Sequence, residues 1–324
     1  MSAAQDYILQ RLAAGEACSG EGLAAECGMT RAAVAKHVRR LRAAGWPIEA
    51  RRGVGYRLTS GLAPLTREAI EAELSPVAPR IDALEVLSQV DSTNTRLADV
   101  PLAGDGRVRL CIAEHQTAGR GRRGRTWHAS AGGSITFSLA RRFDQPPSGL
   151  LGLALVAGVA AATALAANGV AGLALKWPND IQIGDAKLGG ILVELAGESS
   201  GPTRAVVGLG INFDLTGVGT ADAPNAADIR RTVAQPVERS QLAGALMATL
   251  ISAFDQFEQA GLTPFLAQWR ELDVLQGREV RLDAPGGAIA GVAQGIDEDG
   301  ALRLGTASGT RRFLSGDVSV RAAS

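Results

Sequence analysis

The chain has 324 residues, of which 46% are hydrophobic, and this is enough apolar sequence for two or three cores rather than one. Its 33 basic and 33 acidic residues cancel, so the net charge by itself points to neither a nucleic acid nor a membrane. The three cysteines form no CxxC pair, and the N-terminus lacks the basic start and apolar run of a signal peptide. These features predict a cytoplasmic protein with free thiols and no resident metal site.

Residues 1–62 predict a winged helix-turn-helix domain. Apolar spacing indicates a first helix that ends near residue 15, a second over about 20–27, and a third that Thr30 caps. The alternating segment 48–58 then predicts a short hairpin, which would form the wing.

Positive charge is concentrated in this domain. Eight basic residues and one acidic residue between positions 28 and 57 give the segment a net charge of +7. A solvated or protein-binding face would explain a basic helix alone, but a turn glycine, a basic third helix and a wing together favour DNA. The candidate DNA-binding residues are Arg31, Ala32, Lys36, His37, Arg39 and Arg52.

Strand and helix patterns alternate over residues 67–270, which predicts one mixed α/β domain. The expected strands are 85–90, 108–113, 134–140, 174–177, 189–195 and 205–213, and the expected helices are 149–168 and 240–261. The uncharged stretch 150–167 is long enough to span a membrane, but it is rich in Ala and Gly and lacks anchoring aromatic or basic ends. A helix buried inside the domain explains this stretch better, so no membrane partner is expected.

About five short alternating strands with turn signals predict a small β-barrel over residues 274–324. With the two preceding regions, the pattern predicts an α/β (α+β) protein of three domains, over 1–62, 67–270 and 274–324.

The segment 114–133 carries the densest chemical signal. Its glycines match GxGxxG, but no strand directly precedes the pattern and no helical periodicity follows it, so a dinucleotide-binding turn is disfavoured. Arginines interleaved with glycines suit a flexible loop that folds over a carboxylate or a phosphate, and Trp127 adds a flat apolar surface. The alternatives are a disordered loop and an RNA-binding patch, and one short copy makes the latter weak.

A second motif, LysTrpProAsnAsp, occupies residues 176–180. Pro178 cannot continue a central strand, and the Gly-Asp pair at 184–185 predicts a hairpin that brings Asp180 close to Lys187. Lys187 taken alone would be an ordinary hairpin lysine. Beside an acid and an arginine loop, it suits a reaction that builds negative charge on phosphorus.

Five motifs in this order resemble those of biotin–protein ligases: DSTN (91–94), QTAGRGRRGRTW (116–127), KWPND (176–180), KLGGILVEL (187–195) and VGLGINF (207–213). The segment 19–37 resembles the helix-turn-helix of the bifunctional subgroup that represses biotin synthesis. The likeness covers nearly the whole chain, although Thr126 stands where a basic residue is expected. It implies a biotin/lipoate-ligase-like central domain with a mixed sheet and an SH3-like C-terminal barrel.

The resemblance also implies a two-step reaction. Biotin and Mg²⁺-bound ATP would give biotinyl-5′-AMP, and a lysine of the biotin carboxyl carrier domain of acetyl-CoA carboxylase would then accept biotin. Operator DNA and a second copy of the chain, in a ligand-induced homodimer, are the other implied partners.

The family's roles transfer to residues at matching positions. Lys187, Asp180 and Arg122 would be catalytic, with Lys187 bridging two anions and Asp180 orienting or deprotonating the incoming amine. The implied biotin-binding residues are Ser92, Thr93, Asn94, Gln116, Arg120, Gly121, Arg122 and Lys187. The implied nucleotide-binding residues are Trp127, Lys176, Asn179 and Asn212.

Two alternatives stay open from the sequence. A lipoate–protein ligase shares the fold and the chemistry, but lipoate would leave the polar groups expected around a ureido ring unpaired. A repressor that only senses biotin would not require Asp180 and Lys187 together.

Overall fold

The computed structural model of the chain describes residues 3–15, 17–59, 62–128, 131–216, 225–284, 287–314 and 319–322. The helices are α1 (Ala3–Ala13), α2 (Gly20–Glu26), α3 (Arg31–Ala43), α4 (Arg67–Leu74), α5 (Thr93–Ala98), α6 (Leu153–Ala167), α7 (Arg239–Ala260) and α8 (Leu266–Leu272).

The strands form three sheets. They are β1 (Ile48–Arg51), β2 (Gly55–Leu58), β3 (Ile81–Leu87), β4 (Val108–Ala113), β5 (Ser134–Phe143), β6 (Leu173–Lys176), β7 (Asp180–Ile183), β8 (Ala186–Gly197), β9 (Thr203–Asn212), β10 (Glu279–Ala284), β11 (Gly287–Ile296), β12 (Leu302–Thr306), β13 (Gly309–Phe313) and β14 (Ser319–Ala322).

The N-terminal region forms the expected three helices and two-stranded wing. Ser19 and Thr30 cap α2 and α3 by accepting hydrogen bonds from the backbone N–H groups of Gly22 and Ala33. The apolar faces of the helices, including Val34 at 0% exposure, enclose a small core of their own.

A seven-stranded sheet in the order β3-β4-β5-β9-β8-β7-β6 forms the centre of the molecule. Among the strands that the structure describes in this sheet, β3 and β4 are the one parallel pair. Side chains alternate along β5, so that Phe137 faces the main core with α6 and α7, whereas Ser138 faces α5. The sheet therefore has a thick apolar layer on one face and a polar pocket on the other.

Helix α6 has the composition that raised the question of a membrane span. Twelve of its fifteen residues are buried, and Leu175 and Trp269 lie close enough to Gly158 that only a small residue fits there. The packing of α6 is that of a core helix of a globular domain.

The C-terminal region contains the five short strands that the sequence predicts, in one antiparallel sheet of order β13-β12-β11-β10-β14. Its buried residues, among them Leu282 and Leu304, belong to the same apolar cluster as the central domain. This sheet is therefore packed onto the central domain through a continuous core.

Most predicted central elements are present with small changes in their bounds, and β4 spans the expected residues. Strand β3 covers Ile81–Leu87 rather than 85–90, because the chain turns into the pocket at residues 88–92. The short helices α4, α5 and α8 were not expected from the sequence patterns.

Candidate active site

A cleft opens on the α5 side of the central sheet. Its floor is made by β5, β8 and β9. Its walls are the start of α5, the loop over residues 116–127 (the arginine loop) and the turn between β6 and β7. The predicted residues that line it are Ser92, Thr93, Asn94, Gln116, Arg120, Gly121, Arg122, Trp127, Lys176, Asn179, Asp180 and Lys187. Asn212 is not among them.

At one end of the cleft, buried and uncharged polar side chains cluster around the start of α5. Thr93 donates through its backbone N–H (2.7 Å) and its hydroxyl (3.1 Å) to Oε1 of Gln116. Ser138 Oγ donates to Asn94 Oδ1 (2.6 Å) and lies 2.7 Å from Thr93 Oγ1. With Ser92, Thr93 and Asn94 each no more than 3% exposed, these groups are fixed before any ligand arrives.

Two glycines of β9 make room for this arrangement. A Cβ atom on Gly208 would lie 2.2 Å from Asn94 Oδ1, and one on Gly210 would lie 2.6 Å from Cε2 of Trp127. Because positions two apart in a strand face the same side, both glycines open the cleft face of the sheet. No role was expected for them from the sequence, although their spacing within VGLGIN was visible.

The arginine loop is folded into a compact turn. The N–H of Gly121 donates to the carbonyl of Arg125 (2.7 Å), and that of Trp127 donates to the carbonyl of Gly119 (2.9 Å). Arg123 has a φ of 56°, a left-handed conformation that non-glycine residues adopt at some cost. No long helix follows the loop, in agreement with the rejection of a dinucleotide-binding turn.

Lys187 and Asp180 meet across the β7–β8 hairpin, as the sequence predicts. Lys187 Nζ lies 2.6 Å from Asp180 Oδ1, and the two side chains are 40% and 27% exposed. A register shift between Ile181 and Gln182 brings the pair together diagonally, while Gly190 leaves space for the lysine to cross the strand. The ammonium group is therefore held at a fixed point and remains accessible from the cleft.

The backbone of Lys187 is held from behind. Its N–H donates to the carbonyl of Asn225, and its carbonyl accepts from the N–H of Ala227, both at 2.9 Å. The amide of Asn212 donates to the carbonyls of Lys187 (3.2 Å) and Ala227 (3.0 Å). The structure thus places Asn212, an expected nucleotide ligand, behind the β7–β8 hairpin rather than in the lining of the cleft.

The turn between β6 and β7 is hydrogen-bonded to the arginine loop and to β8, which form other parts of the cleft. Asn179 accepts from Arg122 (3.1 Å) and donates to the carbonyl of Ile191 (2.8 Å). The indole of Trp177 donates to the carbonyl of Gly300 in the C-terminal region (3.0 Å). Burial lowers the pKa of Lys176 below its ordinary value, and the neighbouring Asp180 opposes that shift.

The charge balance of the cleft is strongly positive. Among its described lining residues, six side chains are cationic and Asp180 is the only carboxylate; the cations are Arg120, Arg122, Arg123, Arg125, Lys176 and Lys187. The part of the chain that the structure describes contains no group of three or more His, Cys, Asp or Glu residues placed to hold a metal ion. The cleft therefore offers a neutral polar end beside a cationic region suited to anions.

The candidate DNA-binding residues lie on the N-terminal region. Arg31, Ala32, Lys36 and Arg39 are exposed on α3, and Arg52 is exposed in the wing. His37 is half-buried, and its Nδ1 is buried without a hydrogen-bond partner among the described residues. His37 is thus less accessible than Lys36 and Arg39, its basic neighbours on α3.

The sequence matches three family models: a helix-turn-helix domain over residues 5–57, the biotin/lipoate A/B protein ligase family over 86–212, and the biotin protein ligase C-terminal domain over 276–321. A solved biotin protein ligase from Aquifex aeolicus, in complex with biotin and ATP, superposes with a TM-score of 0.65 at 27% identity, over 75% of this chain and 100% of that one. The fold and the cleft define a biotin ligase catalytic domain joined to a DNA-binding module.

Full-length relatives carry the same combination. The bifunctional ligase/repressor BirA of Salmonella typhimurium is 37% identical over 320 residues, which cover 98% of this chain and 97% of that protein. Its counterpart in Escherichia coli is 36% identical over 319 residues, with the same coverage. The chain belongs to this family of bifunctional biotin ligase/repressors, which confirms the class of enzyme and the DNA-binding role expected from the sequence.

Proposed function

We propose that the protein activates biotin with ATP and transfers it to a lysine of the biotin carboxyl carrier domain of acetyl-CoA carboxylase. The observation that carries the proposal is the cleft itself, where a fixed neutral group lies beside six cationic side chains and one carboxylate. A ureido ring needs neutral donors and acceptors, whereas a carboxylate attacking a phosphate needs cations.

In the first step, a carboxylate oxygen of biotin attacks the α-phosphorus of ATP, and the bond to the departing pyrophosphate breaks. Ser92, Thr93, Asn94 and Gln116 would bind the ureido ring. Arg122 and Lys187 would hold the carboxylate and the α-phosphate in attack geometry, since two anions brought together repel each other unless cations lie between them. Gly121 would allow the loop backbone to approach the ligand closely.

In the second step, the carrier lysine attacks the acyl carbon, an amide bond forms, and AMP leaves with the electrons of the broken acyl–oxygen bond. Asp180 would orient the incoming amine or accept its proton. The 2.6 Å contact with Lys187 supports the orienting role, because it fixes the carboxylate beside the cationic side chains of the cleft.

The nucleotide would lie along Trp127, Lys176 and Asn179, with Asn212 acting from behind Lys187. We propose that Mg²⁺ enters with ATP as part of the substrate, bound mainly to phosphate oxygens. Asp180, the only carboxylate among the described lining residues, is the side chain that could reach such an ion.

Mass spectrometry of the carrier domain, incubated with the protein, ATP and either biotin or lipoate, tests the proposal. We expect one biotinyl group per carrier, no lipoyl product, and loss of the reaction in Asp180→Asn. A lipoylated carrier would favour the lipoate ligase. A carrier that stays unmodified by the wild-type protein would favour a repressor that only senses biotin.

We further propose that the protein works in the cytoplasm as a repressor, and that biotinyl-5′-AMP drives it into a homodimer on a two-fold operator. The exposed charges of α3 and the wing support phosphate binding, and one winged helix reaches only one half-site. Sedimentation with and without the adenylate tests the assembly. A monomer at adenylate concentrations that saturate the cleft would remove the dimer from the proposal and leave the ligase untouched.

A further inference from the structure

Glu194, on β8, lies where the arginine loop meets the start of α5, and its two carboxylate oxygens have different partners. Oε1 accepts from the guanidinium of Arg120, and Oε2 accepts from Nδ2 of Asn94 at 2.8 Å. A second nitrogen of Arg120 lies 3.4 Å from the hydroxyl of Thr95. No role was expected for Glu194 from the sequence, because a charged residue in a strand is usually solvent-facing.

These hydrogen bonds continue a chain of polar groups across the pocket. From Asn94 the chain runs through Ser138 and Thr93 to Gln116. Gln116 begins the arginine loop, and Arg120 follows four residues later. The first part of the loop is thus tied at both ends to one polar network built on α5 and the sheet.

We infer that Arg120 and Glu194 form a latch that holds the arginine loop over the cleft, and that Arg120 is not a direct ligand of the substrate anions. The guanidinium of Arg120 is directed at Glu194 and Thr95. Glu194 is not among the described residues that line the cleft, whereas Asp180, the partner of Lys187, is one of them. The Lys187 pair therefore faces the ligand space, and the Arg120 pair is directed at the polar network beside it. Arg122 and Lys187 remain as the cations for chemistry, and Glu194 acts as a positioning residue. This inference departs from the prediction made from the sequence, in which Arg120 binds biotin, and the experiments below distinguish the two.

The latch also has a consequence for catalysis, and that consequence rests on the proposed function. The loop covers a mixed anhydride, which must be kept from water and from stray amines until the carrier arrives. Loosening the loop should therefore accelerate escape of the adenylate.

Hydrogen exchange on the ligand-free protein tests the latch without any assumption about catalysis. In Glu194→Gln and in Arg120→Ala, the loop amides should exchange faster by a similar factor, about three- to tenfold. The amides concerned include those of Thr117, Ala118 and Gly121, which donate to backbone carbonyls in the wild type. In the double variant the factor should not increase further, because each single substitution already breaks the same ion pair.

A non-hydrolysable biotinyl-AMP analogue should dissociate faster from Glu194→Gln and from Arg120→Ala than from the wild type. High salt should reduce this difference in dissociation rate, because it screens the ion pair in the wild type. The matched control is Arg96→Ala on α5, which breaks an ion pair with Glu85 (2.8 Å) of similar exposure. Neither Arg96 nor Glu85 is among the described residues that line the cleft. This control should leave loop exchange and analogue dissociation at their wild-type rates.

The latch is overturned if Glu194→Gln leaves loop exchange unchanged. It is also overturned if Arg120→Ala accelerates analogue dissociation while Glu194→Gln does not, since Arg120 would then bind the anion directly. Failure of wild-type protein to bind the analogue would count against the proposed function instead, and the exchange data would still decide the latch.

Discussion

The positive charges of the cleft and the exposed positive charges of α3 are held in different ways. In the cleft, Lys187 is paired with Asp180, Arg120 with Glu194, and Arg122 donates to Asn179. In the N-terminal region, Lys36 and Arg39 are exposed and form no ion pair with any residue that the structure describes.

The difference fits the two tasks proposed for these residues. A cation that must lie between two reacting anions gains from a fixed position, so its partners hold it there at the cost of some charge. A cation that attracts a DNA phosphate gains from full charge and from freedom to adjust. Substitutions in the cleft should therefore affect geometry, and those in the N-terminal region should affect salt-dependent affinity.

The largest effect is expected from the buried ion pair that holds the segment 62–66, which precedes α4, against the central domain. Arg239 and Glu114 are 4% and 3% exposed and lie 2.6 Å apart, while Arg239 also donates to the carbonyl of Ala63 (3.0 Å). Glu114→Gln leaves a buried guanidinium without its counter-charge and should lower the free energy of unfolding by about 3–5 kcal/mol. Urea denaturation measures this decrease.

The matched control is Glu71→Gln, which breaks an exposed pair with Arg67 and should cost less than about 1 kcal/mol. If Glu114→Gln lowers the free energy of unfolding as little as the control does, the buried pair does not contribute to the stability of the central domain.

The second largest effect is expected from Lys187, which is paired with Asp180 in the cleft. Lys187→Ala should reduce the rate of adenylate formation by about 10²–10³, because the deleted charge acts mainly where negative charge develops. Pyrophosphate release reports the rate, and circular dichroism checks the fold. Lys36→Ala is the control in the N-terminal region and should react at the wild-type rate. Unchanged pyrophosphate release from Lys187→Ala would contradict the catalytic assignment.

The smallest effect is expected from Lys36 and Arg39, the exposed cations of α3. Alanine at both Lys36 and Arg39 should weaken operator binding, and the slope of log affinity against log salt should become shallower by about 0.9 for each phosphate that is no longer neutralised. Titrations at several salt concentrations measure this slope. Arg67→Ala, on α4 outside the N-terminal region, should leave it unchanged. An unaltered slope in the double variant would place the DNA on a different face.

Sequence patterns predicted the parts of the fold that have long, regular signals. Strand β4 and helix α7 are continuous apolar or periodic runs, so their existence and approximate bounds follow from hydrophobic spacing. Helix α5 has only six residues, and its start is fixed by hydrogen bonds from Thr93 to Gln116, a residue 23 positions away. Such a helix depends on tertiary contacts that local propensity does not contain.

The candidate site divides in a similar way. The proximity of Lys187 and Asp180 followed from hairpin geometry, since they are only seven positions apart in the sequence. The ion pair between Arg120 and Glu194 joins residues 74 positions apart. The inward position of Asn212 depends on a segment near Ala227 that pairs with Lys187. Neither long-range interaction has a signature in the sequence of one strand.

Gly300 has a consequence for engineering the protein. Its φ is +80°, a Cβ atom there would lie 2.6 Å from Cδ1 of Leu155, and its carbonyl accepts the indole hydrogen of Trp177. The turn that contains Gly300 is therefore packed tightly against Leu155 and against Trp177, which lines the cleft. A reporter peptide inserted into this turn would disturb the cleft. The β12–β13 turn, where Gly309 has no atom within 4 Å of a potential Cβ, points into solvent and is the better place for a tag.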